Sequence, residues 1–488
     1  MATIEGLKVL EGGGNAFDAA IKISSILTLA LPNTSSIGGD GFLLAMDRDS
    51  NIIAYNGSGK SPRNMQVEEY LTQSPVRGPL TVTVPGLVDL WDWTNNKYGS
   101  MSLFSLLNTS ISLASNGYFV QEPLSQAIAA NHPILDRYKS WVNTFGWMKT
   151  GSYIRFPNLA KIYTAIAAKG RDAFYRDQST ERMVQELNKQ GVPLTYQDFA
   201  EHEGIEVVPI KCNYGEMELN ELPPNTQGLT TLQILKAVET LGFNKLPFEN
   251  SERIKEFFKI AIASYQDRER YLADCDYFNA SINNLLSPSY LSERWLASSN
   301  GQGTLNPNDT TFFVVADRYG NLVAFIQSVF HNFGSGIVVY DVPFQSRGAG
   351  FAKKIGVPNA PCPGKRPLHT LSILLARSEN KGDFFIGCTG GDLRPQIHAE
   401  VLMNIIDYDM ALSKAVEAPR YILTSWLNKD TSAIIEENVW TPDLPHWAER
   451  IGYQSPKTGI VQAMRRRQDG LLEFVADSRG GGAAASIF

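Results

Sequence analysis

The sequence predicts a mixed α+β fold, and three observations carry that prediction. Residues 308–330, N-D-T-T-F-F-V-V-A-D-R-Y-G-N-L-V-A-F-I-Q-S-V-F, read as a β-hairpin. Two runs of β-branched, aromatic and small apolar residues, 312–316 and 322–326, flank the turn chemistry of 317–321. Residues 4–11 and 15–31 carry helical patterns separated by Gly12-Gly13-Gly14. Twice more, a strand runs through a Gly- or Pro-containing loop into a helix. Residues 218–222 precede a helix over 229–241, and 384–387 precede a helix with Ile397, Val401, Leu402, Ile405 and Ile406 on one face.

The hairpin fixes the first site expectation. With the turn centred on Tyr319, Ala316 faces Leu322, Val314 faces Ala324, Phe312 faces Ile326 and Thr310 faces Ser328. Facing residues share a side of the ribbon with Cβ atoms roughly 5 Å apart, so two hydroxyls meet at its open end. A slip of one residue would put Gln327 or Val329 in place of Ser328.

The other elements follow in order. Residues 81–84 read as a strand stopped by Pro85-Gly86, before a tryptophan-rich helix over 87–98. Residues 101–205 read as mainly helical. The D-R-E-R-Y-L run from Asp267 reads as a solvated helix face, and 297–309, rich in Gly, Ser, Asn and Pro, as a flexible loop. A strand over 371–376 follows C-P-G-K-R-P-L-H-T, and the Gly- and Ala-rich tail 480–488 ends in apolar residues that suit docking. N-G-S-G-K-S-P at 56–62 is not a phosphate loop, because the pattern needs a glycine where Ala54 stands.

Composition narrows the function. The chain has 488 residues with 43% hydrophobic and 19% charged, as in a globular protein, and its net charge of −6 argues against nucleic acid as the main partner. Four cysteines, Cys212, Cys275, Cys362 and Cys388, form no C-x-x-C pair, which suits free thiols, and no histidine pattern suggests a metal. No cofactor is implied. The start lacks a basic region ahead of an apolar run, and the early apolar stretch 26–31 is far short of the ~18 residues of a spanning helix. A soluble, unexported, cytoplasmic protein without membrane contact is expected. The chain opens abruptly inside a helical pattern, which fits a trimmed start.

Several of these blocks together resemble the γ-glutamyltranspeptidase family of N-terminal nucleophile hydrolases. They are G-G-G-N-A-F-D-A-A-I with P-N-T-S-S-I-G-G-D-G-F-L-L, then P-P-N-T-Q-G, D-T-T-F-F-V-V-A-D-R-Y-G-N-L-V-A-F with F-G-S-G-I-V-V, R-P-L-H-T, and C-T-G-G-D. The resemblance spans residues 12 to about 480. It implies a four-layer αββα sandwich with the hairpin central in one sheet, and self-cleavage between Asp309 and Thr310. Parts 1–309 and 310–488 would stay associated as one structural unit, with a dimer of such pairs allowed. Thr310 would be the nucleophile, with its freed α-amine as base; a Thr hydroxyl is a weak nucleophile until a base adjoins it. Ser328 would bond the Thr310 hydroxyl or amine. Gly390 and Gly391 would form the oxyanion hole, where a side chain would block approach.

The sequence also departs from the family's pattern around the substrate. Transpeptidases bind the α-carboxylate of a γ-glutamyl donor with an arginine; that position is Ser58 here. They hold the α-amine with an asparagine, aligned with Phe330, and with a Gln and Asp aligned with Arg347 and Gly350. Their pair of hydroxyl residues after R-P-L corresponds to His369 and Thr370. An amine that has lost its acid and gained a cationic neighbour is repelled, whereas Arg347 offers a fork for a carboxylate. The expected activity is hydrolysis of a small-molecule acyl amide, of the carboxyacyl kind, in an acylase-like branch. The alternative is a true γ-glutamyl hydrolase or transpeptidase acting on glutathione-like donors. A non-catalytic relative is disfavoured, since Thr310, Ser328 and both glycines are present, and a serine hydrolase because no G-x-S-x-G occurs.

Overall fold

In a computed structural model, residues 1–297, 302–307, 309–427, 430–439 and 448–486 are described. The chain opens with α1 (Ala2–Glu11) and α2 (Ala16–Ala30), whose start is fixed by a capping box between Asn15 and Asp18. Strands β1 (Asp40–Met46) and β2 (Ile52–Asn56) follow, then α3 (Leu87–Tyr98) and further helices up to residue 200. Next come β3 (Ile205–Glu206), β4 (Ile210–Tyr214), β5 (Met217–Glu221), α4 (Gly228–Thr240) and α5 (Ser251–Tyr271). The C-terminal part holds β6 (Gln302–Thr304), the hairpin β7 (Thr311–Ala316) and β8 (Leu322–Ser328), β9 (Leu374–Ser378), β10 (Gly382–Cys388) and α6 (Arg394–Ile406). It ends with β11 (Tyr421–Leu427), β12 (Asp430–Glu436), β13 (Ala448–Ile451), β14 (Val461–Arg466) and β15 (Leu472–Ala476).

One antiparallel sheet has the order β3-β2-β1-β8-β7 and a second the order β15-β14-β10-β9-β5-β4. Period-two alternation sorts their side chains. Phe42, Leu44, Met46, Phe312, Ala324 and Ile326 of the first sheet share one apolar cluster with Leu375, Phe385 and Met464 of the second. The alternate residues Leu43, Ala45, Val315, Val323 and Phe325 pack with α1, α2 and α3. Leu374, Ala376, Phe384 and Ile386 pack with α4, α5 and α6. A smaller sheet, β13-β12-β11-β6, joins the second helical cluster through Tyr421, Ile422, Leu423 and Trp426.

The hairpin register agrees with the sequence: Leu322 faces Ala316, Ala324 faces Val314, and Ile326 faces Phe312. Its turn is built by Asp317. One carboxylate oxygen accepts from the Tyr319 and Asn321 amides at 2.9 and 3.0 Å, and the other accepts from the Ala16 amide at 2.8 Å, tying the turn to α2.

Five expectations are corrected. The hairpin is not central: β8 lies inside the sheet and β7 at its edge, and among the described strands none pairs with the outer side of β7. Residues 81–84 are not a strand. Pro79 starts a 3-10 turn through Thr81, and the connector is tied by single bonds such as Val84 N–H to the Lys60 carbonyl. The D-R-E-R-Y-L run is only partly solvated, because Asp267 and Arg268 are buried on the inner side of α5. Within 297–309, residues 302–304 form β6 against β11, and Leu305 N–H donates to the Thr424 carbonyl; positions 298–301 and 308 lie outside the described residues. The strand expected at 371–376 is β9, three residues further on. In the tail Gly480 is half-buried and 481–486 are exposed, with 487–488 outside the described residues. No described helix is long and apolar enough to cross a membrane.

Candidate active site

The open end of the hairpin meets the β10–α6 turn, with β10 packed closely against β7. Gly387 permits this approach: a Cβ there would lie 2.5 Å from the Phe312 ring. Thr310, immediately before β7, is buried, and its hydroxyl oxygen accepts a bond from Arg394 Nη2 at 3.1 Å. Ser328 does not bond the Thr310 hydroxyl in the uncut chain. Its hydroxyl donates to the Asp309 carbonyl oxygen at 3.0 Å and accepts from the Phe330 amide at 2.9 Å. The Asp309 carboxylate accepts from Asn332 Nδ2. Thr310 and Thr389 line one end of a cavity of about 1040 Å³ that runs along β7, with α1, Phe474 and residues 481–486 among its walls.

In the turn after β10, Gly390 has φ of 142° and Gly391 has φ of 53°, conformations that favour glycine. The Gly391 carbonyl accepts from Gln227 Nε2 at 2.8 Å, while neither the Gly390 nor the Gly391 amide donates to a described residue. The turn is held from outside by Asp392, which accepts from Arg268 Nη1 at 2.6 Å and from the Asn306 amide at 2.9 Å.

Thr370 joins the two arginines. Its carbonyl accepts from Arg394 Nη1 and from Gln227 Nε2, and its hydroxyl accepts from Arg347 Nη1 at 3.3 Å. Arg347 is fully buried, yet its Nε and Nη2 have no hydrogen-bond partner among the described residues. Its guanidinium lies 4.2 Å from the centre of the Phe330 ring. Phe330 is there because its backbone takes a left-handed φ of 77°, a strained choice for an aromatic residue. Burial and the neighbouring Arg394 push Arg347 down to about 9, against the opposing pull of Asp40.

His369 and Ser58 lie behind this layer. His369 is buried; its Nδ1 accepts from the Leu371 amide at 3.3 Å, so the proton sits on Nε2, 3.2 Å from Asp40 Oδ2. Burial and the charges of Arg347 and Arg394 hold the ring neutral. Asp40 Oδ1 accepts from Gln345 Nε2 at 2.9 Å and from the amides of Gly86 and Gly59 at 3.1 and 3.3 Å. The Ser58 hydroxyl donates to Asn56 Oδ1 at 2.6 Å, and its carbonyl takes Arg366 Nε at 2.9 Å. At Gly350 a Cβ would lie 2.6 Å from the Leu368 carbonyl, so no acid fits there without movement.

Sequence reasoning missed Arg394, Asp40 and the Arg268–Asp392 clamp. A signal for Arg394 was available: a cation in the first turn of a helix opposes the helix dipole, and such local conflicts mark functional positions.

The chain is similar to known proteins along its whole length. A family model described as Gamma-glutamyltranspeptidase matches residues 2–487. The glutathione hydrolase-like YwrD proenzyme of Bacillus subtilis (strain 168) is 30% identical over 510 aligned residues, covering 100% of this chain and 97% of that protein. The oxamate amidohydrolase proenzyme of Klebsiella pneumoniae is 29% identical, covering 99% of this chain and 96% of its own. The solved cephalosporin acylase from Bacillus halodurans superposes with a TM-score of 0.84 at 28% identity, covering 98% of this chain and 92% of its own.

Proposed function

This chain belongs to the γ-glutamyltranspeptidase family, and from that premise we propose that it is a self-processing amidohydrolase with Thr310 as nucleophile, acting on carboxyacyl amides. Self-cleavage is the first step. Thr310 Oγ1 attacks the Asp309 carbonyl carbon, whose oxygen already receives the Ser328 hydroxyl. The ester that forms is hydrolysed, leaving 1–309 and 310–488 as associated fragments, and the new α-amine of Thr310 serves as base for its own hydroxyl. In turnover the oxyanion falls to the Gly390 and Gly391 amides, which are free of other described partners.

The observation that carries the substrate class is Arg347. A buried guanidinium with two unpartnered nitrogens is costly unless something else completes it, since each unsatisfied donor costs about 1–3 kcal/mol. A carboxylate at the far end of the acyl chain would take both nitrogens in a fork. Thr370 and Arg394 link that fork to Thr310. Ser58, His369 and Asp40 would shape the pocket wall, with Asp40 and His369 satisfying one another, and Phe330 would stack under the fork. A γ-glutamyl donor would add an α-amine that needs an acid. The carboxylates of Asp40 and Asp392 already accept several bonds each, so the glutathione-type alternative is disfavoured. The relative named oxamate amidohydrolase is consistent with an acyl group bearing a second carboxyl.

The shared cluster between the two sheets, with helices on both outer faces, supports reading the fold as a four-layer αββα sandwich. A cytoplasmic location belongs to the same proposal, since four unpaired thiols suit a reducing compartment. So does pairing of two cleaved molecules, which sedimentation would test.

The experiment that tests the substrate class compares kcat/KM for glutaryl-anilide and γ-glutamyl-anilide, which differ only in the α-amine. Glutaryl is expected to win. A tenfold advantage for the glutamyl compound, ~1.4 kcal/mol at the transition state, would overturn the carboxyacyl reading.

A further inference from the structure

We propose that Arg394 is a further catalytic residue, whose guanidinium holds the Thr310 hydroxyl and stabilises negative charge on that oxygen as its proton leaves. The inference rests on the reading of Thr310 as nucleophile. Arg394 is fully buried at the first residue of α6. Its Nε donates to the Cys388 carbonyl at 3.0 Å, its Nη1 to the Thr370 carbonyl, and its Nη2 to Thr310 Oγ1 at 3.1 Å. Two bonds to fixed carbonyls at the edge of the site set the plane of the fork, and that plane aims the third nitrogen at the reacting oxygen.

The charge balance is what separates this from a structural clamp. Among the described residues no carboxylate lies within ion-pair distance of Arg394, and the charges of Glu221 and Asp392 act on it only from further off. The acids nearby are engaged elsewhere: Glu221 meets His398 Nδ1 at 3.3 Å, and Asp392 meets Arg268 at 2.6 Å. The positive end of α6 adds to the charge. A buried cation with no carboxylate bonded to it, at the positive end of a helix, is unfavourable in the resting state. It is offset when an anion forms beside it, and the atom at that place is Thr310 Oγ1. Arginine keeps its proton throughout, so it cannot act as the base.

The step balances without another reactant. Oγ1 forms its bond to the substrate carbonyl carbon while its proton passes to the α-amine of Thr310, and the carbonyl π pair moves onto the carbonyl oxygen. On collapse that pair returns, the C–N bond breaks, and the ammonium proton goes to the departing amine. Arg394 bonds Oγ1 as it attacks; the glycine amides bond the carbonyl oxygen.

The test uses Arg394→Gln, Arg394→Lys and Thr310→Ala in the full chain, with self-cleavage followed by intact mass and turnover measured on glutaryl-anilide. Arg394→Gln is expected to slow cleavage and to lower kcat about 30-fold or more, with KM changed less than about threefold. Arg394→Lys, which keeps a cation, should recover part of that loss. A folded Arg394→Gln protein with kcat within threefold of the unaltered enzyme, or with only KM raised, overturns the proposal. If the Gln variant does not fold, a crystal structure of the unaltered cleaved protein decides. Nη2 still bonded to Thr310 Oγ1, at about 3.2 Å or less, supports the role, and a guanidinium turned away from it overturns it. Thr310→Ala separates the two layers: activity surviving there removes the nucleophile reading itself, and this inference with it.

Discussion

Replacing Arg347 by Met, of similar length and without charge, should remove carboxyacyl hydrolysis while leaving the fold nearly as stable. Among the described residues, Arg347 makes one hydrogen bond, to Thr370 Oγ1 at 3.3 Å, and one cation–π contact at 4.2 Å to Phe330. A hydrogen bond from a charged group is worth about 1.5–3 kcal/mol and a desolvated cation–π contact about 2 kcal/mol, so roughly 4 kcal/mol is lost. Against this stand two buried unpartnered nitrogens, Nε and Nη2. Removing them returns about 1–3 kcal/mol each, so roughly another 4 kcal/mol is gained. The two sums nearly cancel. On the substrate, loss of two charge-assisted bonds removes about 3 kcal/mol or more, on the order of a hundredfold in kcat/KM. The assay compares glutaryl-anilide with butyryl-anilide, which lacks the far carboxylate. Only glutaryl hydrolysis should fall. Stability is read by denaturant unfolding in the Thr310→Ala background, where one chain unfolds. An equal loss on both substrates would refute the carboxylate role. A drop in stability above about 3 kcal/mol, the size expected on breaking a satisfied buried pair, would show that Arg347 is a structural tie.

Two further outcomes follow from the site and its surroundings. Gly390→Ala and Gly391→Ala should each lose stability, because positive φ angles of 142° and 53° strain a β-carbon by about 1–3 kcal/mol, and should lower turnover ten- to a thousandfold; thermal melting and kcat check both, and two variants with unchanged kcat would remove the oxyanion role. Glu400 is buried with Oε1 unpartnered, and burial raises its pKa from 4.5 to about 8. Between those values the folded state holds a proton that the unfolded state has released, so stability falls as pH rises through that window, by at most about 1.4 kcal/mol per pH unit. Glu400→Gln should lack this loss, and denaturant unfolding at pH 5, 7 and 9 should show its advantage growing with pH.

The hairpin was legible in the sequence because local chemistry over-determines it. Asp317, Gly320 and Asn321 admit one turn, and the alternating side chains forbid a slipped register. The diglycine turn was legible as a turn, but not the positive φ angles of both glycines, nor the bond from Gln227, 164 residues away, that holds the Gly391 carbonyl. The strand misread at 81–84 shows the limit of alternation: Thr81-Val82-Thr83-Val84 has the right pattern, yet Pro79 and contacts with Lys60 and Gln345 hold it as a connector. Arg268 read as solvated because its run is charged, whereas its partners, Gln227 and Asp392, lie 41 and 124 residues away. Arg394 and Asp40 escaped for the same reason. Their roles arise from groups that only the closed fold assembles, and no local periodicity encodes that meeting.

Cleavage of the bond between Asp309 and Thr310 is tested most directly by intact-mass analysis of folded, active protein. Two chains are expected, residues 1–309 and 310–488, with threonine at the second N-terminus, while Thr310→Ala should give one uncut and inactive chain. A single uncut chain with full amidohydrolase activity would contradict the account.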